Sequence, residues 1–471
     1  MIKRTVGQLA SMCGGARKGG RPEETISGIM TDGRLAGSGE LFVPLVGDRF
    51  DGHDYVEQAV ASGAKAIMWQ RGKEIPASLA HLPFLLVKDT LEGLQALAAA
   101  YRNELMARVV GITGSNGKTT TKDMTAALLA TQYRVLKTEG NLNNHIGLPL
   151  TILKMDEETE VAVLEMGMSG FGEIELLTKI AQPDVAIITN IGEAHMLQLG
   201  SRSGIAKAKL EITAGLGDDG MLLFNGDEPL LHEGLKAMNL PEGITLRTFG
   251  LDRGNEWSAA DIALAPDGST FNARYKDENT GMEKLHISTP GRHNISNALA
   301  AIAAARIFGV KPENIARGFQ GLQLTGMRIE PSKAYNGATI LNDAYNANPT
   351  AVRAAIDLVS GLGGFGRRWI VLGDMLDLGP EEASLHQEIG EYITKGKAEA
   401  VVTFGPLSAI LSEAAAKKLS EAAEAGYVRH FEDKNELAAW VREQLHPEDL
   451  VLVKGSRGMQ MEQVVQALEK G

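Results

Sequence analysis

The chain has a single cysteine, Cys13, among 471 residues. No intrachain disulfide can form, which fits a reducing compartment. Long apolar runs are missing too. No stretch reaches the ~18 residues a membrane helix needs, and the amino-terminal M-I-K-R-T-V-G is basic without the hydrophobic segment of a signal peptide. The expectation is a soluble cytoplasmic protein with no membrane span. Positive charge is not in excess either: 47 Lys+Arg against 59 Asp+Glu give a net charge of −12. That disfavours non-specific nucleic-acid binding and leaves anionic ligands to local clusters. Low-complexity tracts and fixed-period repeats are absent.

What is present is an alternation of apolar β-type runs and helical patterns, the mark of α/β architecture. At ~100–200 residues per domain the length favours about three domains. The amino-terminal part carries runs at Glu40–Leu45, Ala64–Trp69 and Pro83–Val87, with helical patterns near Asp54–Ser62 and Leu91–Arg102. A central part follows with Val161–Gly167, Asp184–Asn190 and Met221–Asn225, apolar on both faces as buried parallel strands are, and an Ala-rich helix over Asn294–Phe308. The pattern restarts near Arg328, with strands expected at Ala338–Asp343, Arg368–Asp374, Ala400–Gly405 and Leu450–Gly455. We therefore expect a smaller α/β domain over 1–106, a doubly wound domain over 107–327 and a Rossmann-like domain over 328–471.

The central part opens on V-V-G-I-T-G-S-N-G-K-T-T-T, Val109 to Thr121. An apolar strand runs into a small-residue loop and then a helix. Such a loop points backbone N–H groups at one place, and the helix turns its positive end toward it. Gly114, Ser115, Asn116, Gly117, Lys118, Thr119 and Thr120 are thus candidates for a nucleoside-triphosphate cradle, with the Thr119 hydroxyl suited to Mg²⁺. The usual G-x-x-x-x-G-K-[ST] pattern would place glycine at 112, where this chain has Ile112. The loop is therefore a variant, and a glycine turn followed by a chance Lys-Thr is the plain alternative.

Other positions gain meaning beside that loop. Glu165 ends a buried strand and is placed to hold Mg²⁺, although an acidic strand-to-loop turn would look the same. His195 lies just past the next strand, where it is either a ligand or a packing residue. Lys207 and Lys209 lie in a helical stretch and read equally as a solvated basic face. Arg292, His293, Asn294 and Asn297 open the Ala-rich helix; capping is their default role, contact with a base the alternative. Asn342, Asp343, Tyr345, Asn346 and Asn348 crowd a strand end before Pro349, more densely than asparagine turns explain. Lys454-Gly-Ser-Arg457 offers another anion-friendly helix start, or a simple β–α turn.

Taken together, the chain resembles the Mur ligases, ATP-dependent amide-bond ligases of peptidoglycan precursor synthesis. The resemblance runs over essentially the whole length. It rests on Gly114–Thr120, Glu165, His195, Gly291-Arg-His-Asn294, Arg328, Asn342-Asp343 and Lys454–Arg457. The segments Thr138–Leu153, Leu164–Gly167, Thr189–His195, Asp343–Pro349 and Leu372–Gly379 are similar to the branch that adds a dipeptide. That resemblance implies an enzyme that joins D-Ala-D-Ala to UDP-N-acetylmuramoyl-tripeptide through an acyl phosphate, with ATP and two Mg²⁺, acting as a monomer. It implies a UDP-sugar-peptide domain, an ATP domain and a dipeptide domain in that order. Lys118, Glu165, His195 and Lys209 would be catalytic. Thr119, Glu165, His195 and a carbamylated Lys209 would hold metal, with Lys207 the alternative lysine. Asn294, Asn297, Arg328, Asp343 and Asn346 would meet the nucleotide. Thr31, Arg34, Arg49, Asp51, His53, Asn141 and Asn144 would meet the UDP-linked substrate, and Lys454, Ser456 and Arg457 the dipeptide. The competing readings are a ligase of this or the folylpolyglutamate type that adds one amino acid, a P-loop GTPase or motor (the chain has no N-K-x-D motif), and a non-catalytic nucleotide binder.

Overall fold

The computed structural model describes residues 1–34, 37, 39–276, 278–420 and 427–470. Their strands form three main sheets and two short two-stranded ribbons. The central sheet runs in the order Val135–Lys137, Val161–Glu165, Arg108–Thr113, Val185–Ile188, Met221–Asn225, Thr245–Phe249, all parallel. Val109, Val110, Ile112, Val161, Val163, Leu164 and Ile187 are fully buried, because helices cover both faces. The strand order reverses around Arg108–Thr113, so the loop leaving its carboxyl end opens into the crevice where doubly wound sheets bind ligands.

One part of this sheet is not foreshadowed by the apolar runs. Trp257–Ala265, Gly268–Tyr275 and Glu278–Ile287 extend it as an antiparallel meander. The first of these strands, W-S-A-A-D-I-A-L-A, is buried only at Trp257 and Ser258 and carries just two large aliphatic side chains, and a register shift interrupts its pairing. A hydrophobic-run criterion passes over such strands.

The Ala-rich helix Arg292–Ile307 is buried from Ala298 through Ala305. Alanine permits close approach on every side, and the helix packs into one core with Met124 and Leu128 of the helix Lys118–Leu129. This fixes the start of the one helix beside the start of the other. The polar residues at its start are not its caps: Gly291 is the N-cap and no side chain caps it.

The carboxyl-terminal sheet runs Glu330–Lys333, Thr339–Asp343, Leu450–Lys454, Arg368–Gly373, Ala400–Phe404, Tyr427–Phe431, parallel except for its first strand. Asp343 and Lys454 therefore come to adjacent strand ends. The amino-terminal sheet has five short strands, Ala16–Lys18 antiparallel and the rest parallel. The helix Thr90–Glu104 leads from it to the central sheet and is fastened there: Tyr101 Oη donates to Met155 O at 2.9 Å and Arg102 Nε to Ala181 O at 2.9 Å.

Candidate active site

The glycine-rich loop needs its glycines. Gly114 has φ +145° and Gly117 φ +80°. A Cβ at Gly114 would lie 1.9 Å from Thr189 Oγ1, and one at Gly117 would lie 2.4 Å from Asn297 Oδ1. Two of the loop N–H groups already have partners: Ser115 N donates to Asn190 O at 3.1 Å and Asn116 N to Asn190 Oδ1 at 2.8 Å. The cradle is thus narrower than the sequence pattern implies. Its free donors are the first-turn N–H groups of Lys118, Thr119 and Thr120, which a helix start leaves without intrahelical partners. Lys118 Nζ curls back onto Gly114 O at 2.8 Å. Burial pushes the Lys118 pKa down, and the Glu165 carboxylate opposes that.

Glu165 is 2 % exposed. Its Oε1 accepts from Asn143 Nδ2 at 2.8 Å, while Oε2 is buried with no partner. An unpartnered buried carboxylate oxygen is costly unless a cation or donor meets it. Lys209 is 1 % exposed and, among the described residues, no hydrogen bond or ion pair engages its ammonium. Burial and the nearby Lys118 charge push its pKa well down. Lys207 points elsewhere: it is exposed, with Nζ 5.9 Å from the centre of the Phe171 ring. His195 sits at the N-cap of Met196–Leu199 with φ +64°. Burial, then the charges of Lys209 and Lys118, lower its pKa to about 4. Lys118, Glu165, His195 and Lys209 thus share one electrostatic neighbourhood. Among the described residues no three His, Cys, Asp or Glu side chains cluster to hold a metal by themselves.

The far wall comes from the Ala-rich helix and the carboxyl-terminal domain. Asn294 Nδ2 donates to Pro290 O at 2.8 Å, and its Oδ1 accepts from Asn297 Nδ2 at 3.2 Å. Arg328 lies 4.1 Å over the centre of the Tyr345 ring, with its Nε buried and unpartnered. Lys454 Nζ meets Asp343 Oδ2 at 2.6 Å and Asn346 O at 2.9 Å. One cleft is lined by Ser115–Thr120, Asn143, Glu165, Asn294, Asn297, Arg328, Asp343, Tyr345, Asn346 and Lys454.

Comparison with known proteins identifies the family. The Mur ligase middle domain matches residues 112–305, the Mur ligase glutamate ligase domain 327–457, and the catalytic domain of the Mur ligase family 25–102. A UDP-N-acetylmuramoyl-tripeptide–D-alanyl-D-alanine ligase from Bacillus subtilis (strain 168) is 48% identical, covering 99% of both chains. The chain belongs to the Mur ligase family. Among solved structures, a MurF from Acinetobacter baumannii superposes with a TM-score of 0.88 at 30% identity over 100% of both chains. MurF ligase from Thermotoga maritima in complex with ADP has a TM-score of 0.81 at 28% identity, covering 94% of this chain and 97% of that one.

Within this Mur ligase, several expected site residues lie elsewhere or are already engaged. Thr31 and Arg34 line a second cavity in the amino-terminal domain with Phe42, Phe50, Tyr55 and Gln58. Arg49, Asp51 and His53 do not line it. Arg49 is exposed on the Val46–Asp51 hairpin. Asp51 binds His53 Nδ1 at 2.6 Å and pairs with Lys73, and His53 Nε2 accepts from Gln70 N at 3.3 Å, so this pair holds its own fold together. Asn141 is exposed, and Asn144 Oδ1 accepts from Gly147 N at 2.9 Å. The asparagine that reaches the cleft is Asn143, between them. Ser456 Oγ accepts from Leu376 N at 2.9 Å, and Arg457 pairs with Glu462 at 3.0 Å outside the cleft. Lys454 therefore stands apart from its neighbours: it shares the cleft of the glycine-rich loop. Asn143 and Asn190 line the cleft without having been singled out in the sequence, whereas Tyr345 belongs to the crowded strand end noted there.

Proposed function

We propose that this chain joins the amino group of D-alanyl-D-alanine to the terminal carboxylate of a UDP-N-acetylmuramoyl-tripeptide, releasing ADP and phosphate, in peptidoglycan precursor synthesis. The reading is supported by end-to-end identity with the ligases named above and by one observation in the structure: the half-buried Lys118, where the loop enters its helix, and Glu165, which keeps one carboxylate oxygen without a partner, line the same cleft. ATP is the phosphoryl donor, in keeping with family membership and with the ADP-bound relative.

A carboxylate resists amine attack because oxide is a poor leaving group. Attack of the substrate carboxylate on the γ-phosphorus gives an acyl phosphate and ADP. The dipeptide amine then attacks the acyl carbon and phosphate departs. The first step brings several anions together, so charge neutralisation carries most of the catalysis. Lys118 neutralises the transferring phosphoryl oxygens, and the N–H groups of Lys118, Thr119 and Thr120 orient them. Arg328 adds positive charge from the opposite wall, while Asn294, Asn297, Asp343 and Asn346 orient the nucleotide.

The residues fit divalent cations, although they do not form a closed cage. Glu165 Oε2 has no partner, the Thr119 hydroxyl lies at the helix start, and His195 is neutral near pH 7. Mg²⁺ typically takes one or two carboxylates and completes its shell with phosphates and water. Thr119, Glu165, His195 and a carbamylated Lys209 would hold two Mg²⁺, which supply Lewis-acid neutralisation of the phosphates. Burial favours the neutral form of the Lys209 amine, the form that adds CO₂ and, on losing a proton, becomes an anionic carbamate. In this reading the amino-terminal domain (1–106) binds the UDP-sugar through the cavity at Thr31 and Arg34, the central domain (107–327) binds ATP, and the carboxyl-terminal domain (328–471) receives the dipeptide. The enzyme works as a cytoplasmic monomer; among the described residues no helix is long and apolar enough to cross a membrane.

Phosphate release with UDP-N-acetylmuramoyl-tripeptide and ATP tests the reading. Release should require D-Ala-D-Ala and fail with single amino acids. Equal turnover with a single amino acid would assign the chain to another ligase of this type.

A further inference from the structure

A charged anchor outside the cleft accounts for the placement of Arg328. Residues 321–329 form the strap between the helix Pro312–Gln320 of the central domain and the strand Glu330–Lys333 of the carboxyl-terminal sheet. Two residues of this strap, Met327 and Ile329, are left-handed, with φ +61° and +54°. They flank Arg328 on both sides. A β-branched residue in that region is a genuine outlier, so local preference does not make this conformation and outside contacts must hold it.

Toward the central domain, Leu322 packs on the core beside Met124 and Leu128, and the polar contact is Asp123. It lies on the helix that begins at Lys118, and it is 1 % exposed. Its Oδ2 accepts two hydrogen bonds from one strap residue, Thr325 N at 3.0 Å and Thr325 Oγ1 at 2.8 Å. Its Oδ1 takes Lys137 Nζ at 2.6 Å and lies 3.3 Å from Lys122 Nζ. Lys122 is itself buried and donates to Thr138 O at 3.0 Å; Thr138 Oγ1 in turn accepts from Glu165 N at 3.0 Å. One chain of contacts thus runs from the strap to the strand end that carries Glu165. Hydrogen bonds to an ionised acceptor are the stronger kind. Three residues beyond Thr325, Arg328 lines the cleft; among the described residues its side chain meets the face of Tyr345, and its Nε has no hydrogen-bond partner.

We propose that Asp123 is a positioning residue for phosphoryl transfer: through Thr325 it fixes the strap, and so holds Arg328 opposite the glycine-rich loop. The proposal rests on the reading of the cleft as the nucleotide site. It predicts that Asp123 and Thr325 act on the nucleotide through Arg328, without touching the nucleotide themselves.

The test uses the full chain carrying Thr325→Val, Thr325→Ser, Arg328→Ala and the Thr325→Val/Arg328→Ala pair, with Asp123→Asn added wherever it folds. KM for ATP, KM for D-Ala-D-Ala, ADP affinity by calorimetry and melting temperature are read for each. Thr325→Val should raise KM for ATP and weaken ADP by about tenfold, leave KM for the dipeptide unchanged, and be rescued by Thr325→Ser. In the Arg328→Ala background, Thr325→Val should add nothing further, as coupled sites require. Multiplying effects, or a lowered melting temperature with unchanged KM for ATP, would overturn the proposal and leave the nucleotide site intact. Unchanged ADP affinity in Arg328→Ala alone would instead remove the reading of the cleft on which the proposal stands.

Discussion

Asn116 and Asn348 exchange two side-chain hydrogen bonds, 2.7 and 3.2 Å long, across the boundary between the glycine-rich loop and the carboxyl-terminal domain. Asn348 also caps the helix Pro349–Gly361 through Ala351 N. The loop is therefore fastened directly to the start of a helix in the other domain. Close by, Glu193 Oε2 accepts from Thr350 N and Oγ1 at 2.9 and 2.7 Å. Asn116 consequently turns its side chain to the carboxyl-terminal domain; in the proposed function its part is to hold that domain against the loop. Asn116→Ala removes the exchange and spares the cap. It should lower stability by about 1–2 kcal/mol and increase the radius of gyration seen by small-angle scattering without nucleotide. A scattering profile identical to the parent's would show that the exchange does not hold the domains.

Lys118 lies over its own loop, bonded to Gly114 O. That carbonyl and the Ser115 carbonyl, 3.4 Å away, are replaceable partners, so the ammonium can turn to a phosphate. Lys118→Ala should reduce turnover by about 10³-fold or more, the scale on which a cation at a transferring phosphoryl group acts, while thermal stability stays close to the parent's. Near-normal phosphate release from a folded variant would contradict the role given to this loop.

The legible parts of the molecule are those where local chemistry and final structure agree. Val161–Glu165 and Met221–Asn225 are apolar on both faces because the sheet is covered on both, and the runs reveal them directly. The glycine-rich loop is legible because each glycine answers a backbone need. What escapes is set by contacts between distant segments. Nothing in N-L-N-N tells which asparagine will face Glu165; the turn geometry chooses Asn143. Lys454 and Asp343 lie far apart in sequence, and only the adjacency of their strands makes them a pair. Lys207 and Lys209 look alike in sequence, yet the helix buries one and exposes the other.

That contrast gives a paired test. Lys209→Ala should nearly abolish ligation, and short carboxylic acids added to the assay should restore part of it by standing in for a carbamate. Lys207→Ala should behave as the parent, since the side chain lies on the surface over Phe171. The assay is phosphate release across a series of added acids. Full activity in the Lys209 variant, or equal loss in both, would remove the carbamate from the account.

His293 stands at the wall of the cleft with its pKa lowered to about 4, chiefly by burial; Asp343 opposes the shift and Lys454 adds to it. The unfolded chain takes up this proton near the usual 6.5, and the folded protein only near 4. Between those values the unfolded state binds more protons, so stability present above pH 6.5 is lost as the pH falls toward 4. His195 adds to the same slope. His293→Gln should therefore flatten the decline in unfolding free energy between pH 7 and pH 5, measured by denaturant titration without ligand. Parallel pH dependences in parent and variant would place the ring in water.

Lys454 is 3 % exposed and pairs with Asp343 at the wall of the cleft; in the proposed function it neutralises a carboxylate that would otherwise face phosphate oxygens. Lys454→Met keeps the length and removes the charge. It leaves the half-buried Asp343 unpaired, which should cost about 1–3 kcal/mol of stability, and it should raise KM for ATP more than KM for D-Ala-D-Ala. Adding Asp343→Asn removes the stranded charge, so the double variant should regain much of the lost stability and nucleotide affinity. Arg457→Ala, outside the cleft, should leave KM for ATP unchanged. If Lys454→Met instead raised KM for the dipeptide alone, its ammonium would be a ligand of the incoming substrate, and the ion pair with Asp343 would be a contact made only until that substrate arrives.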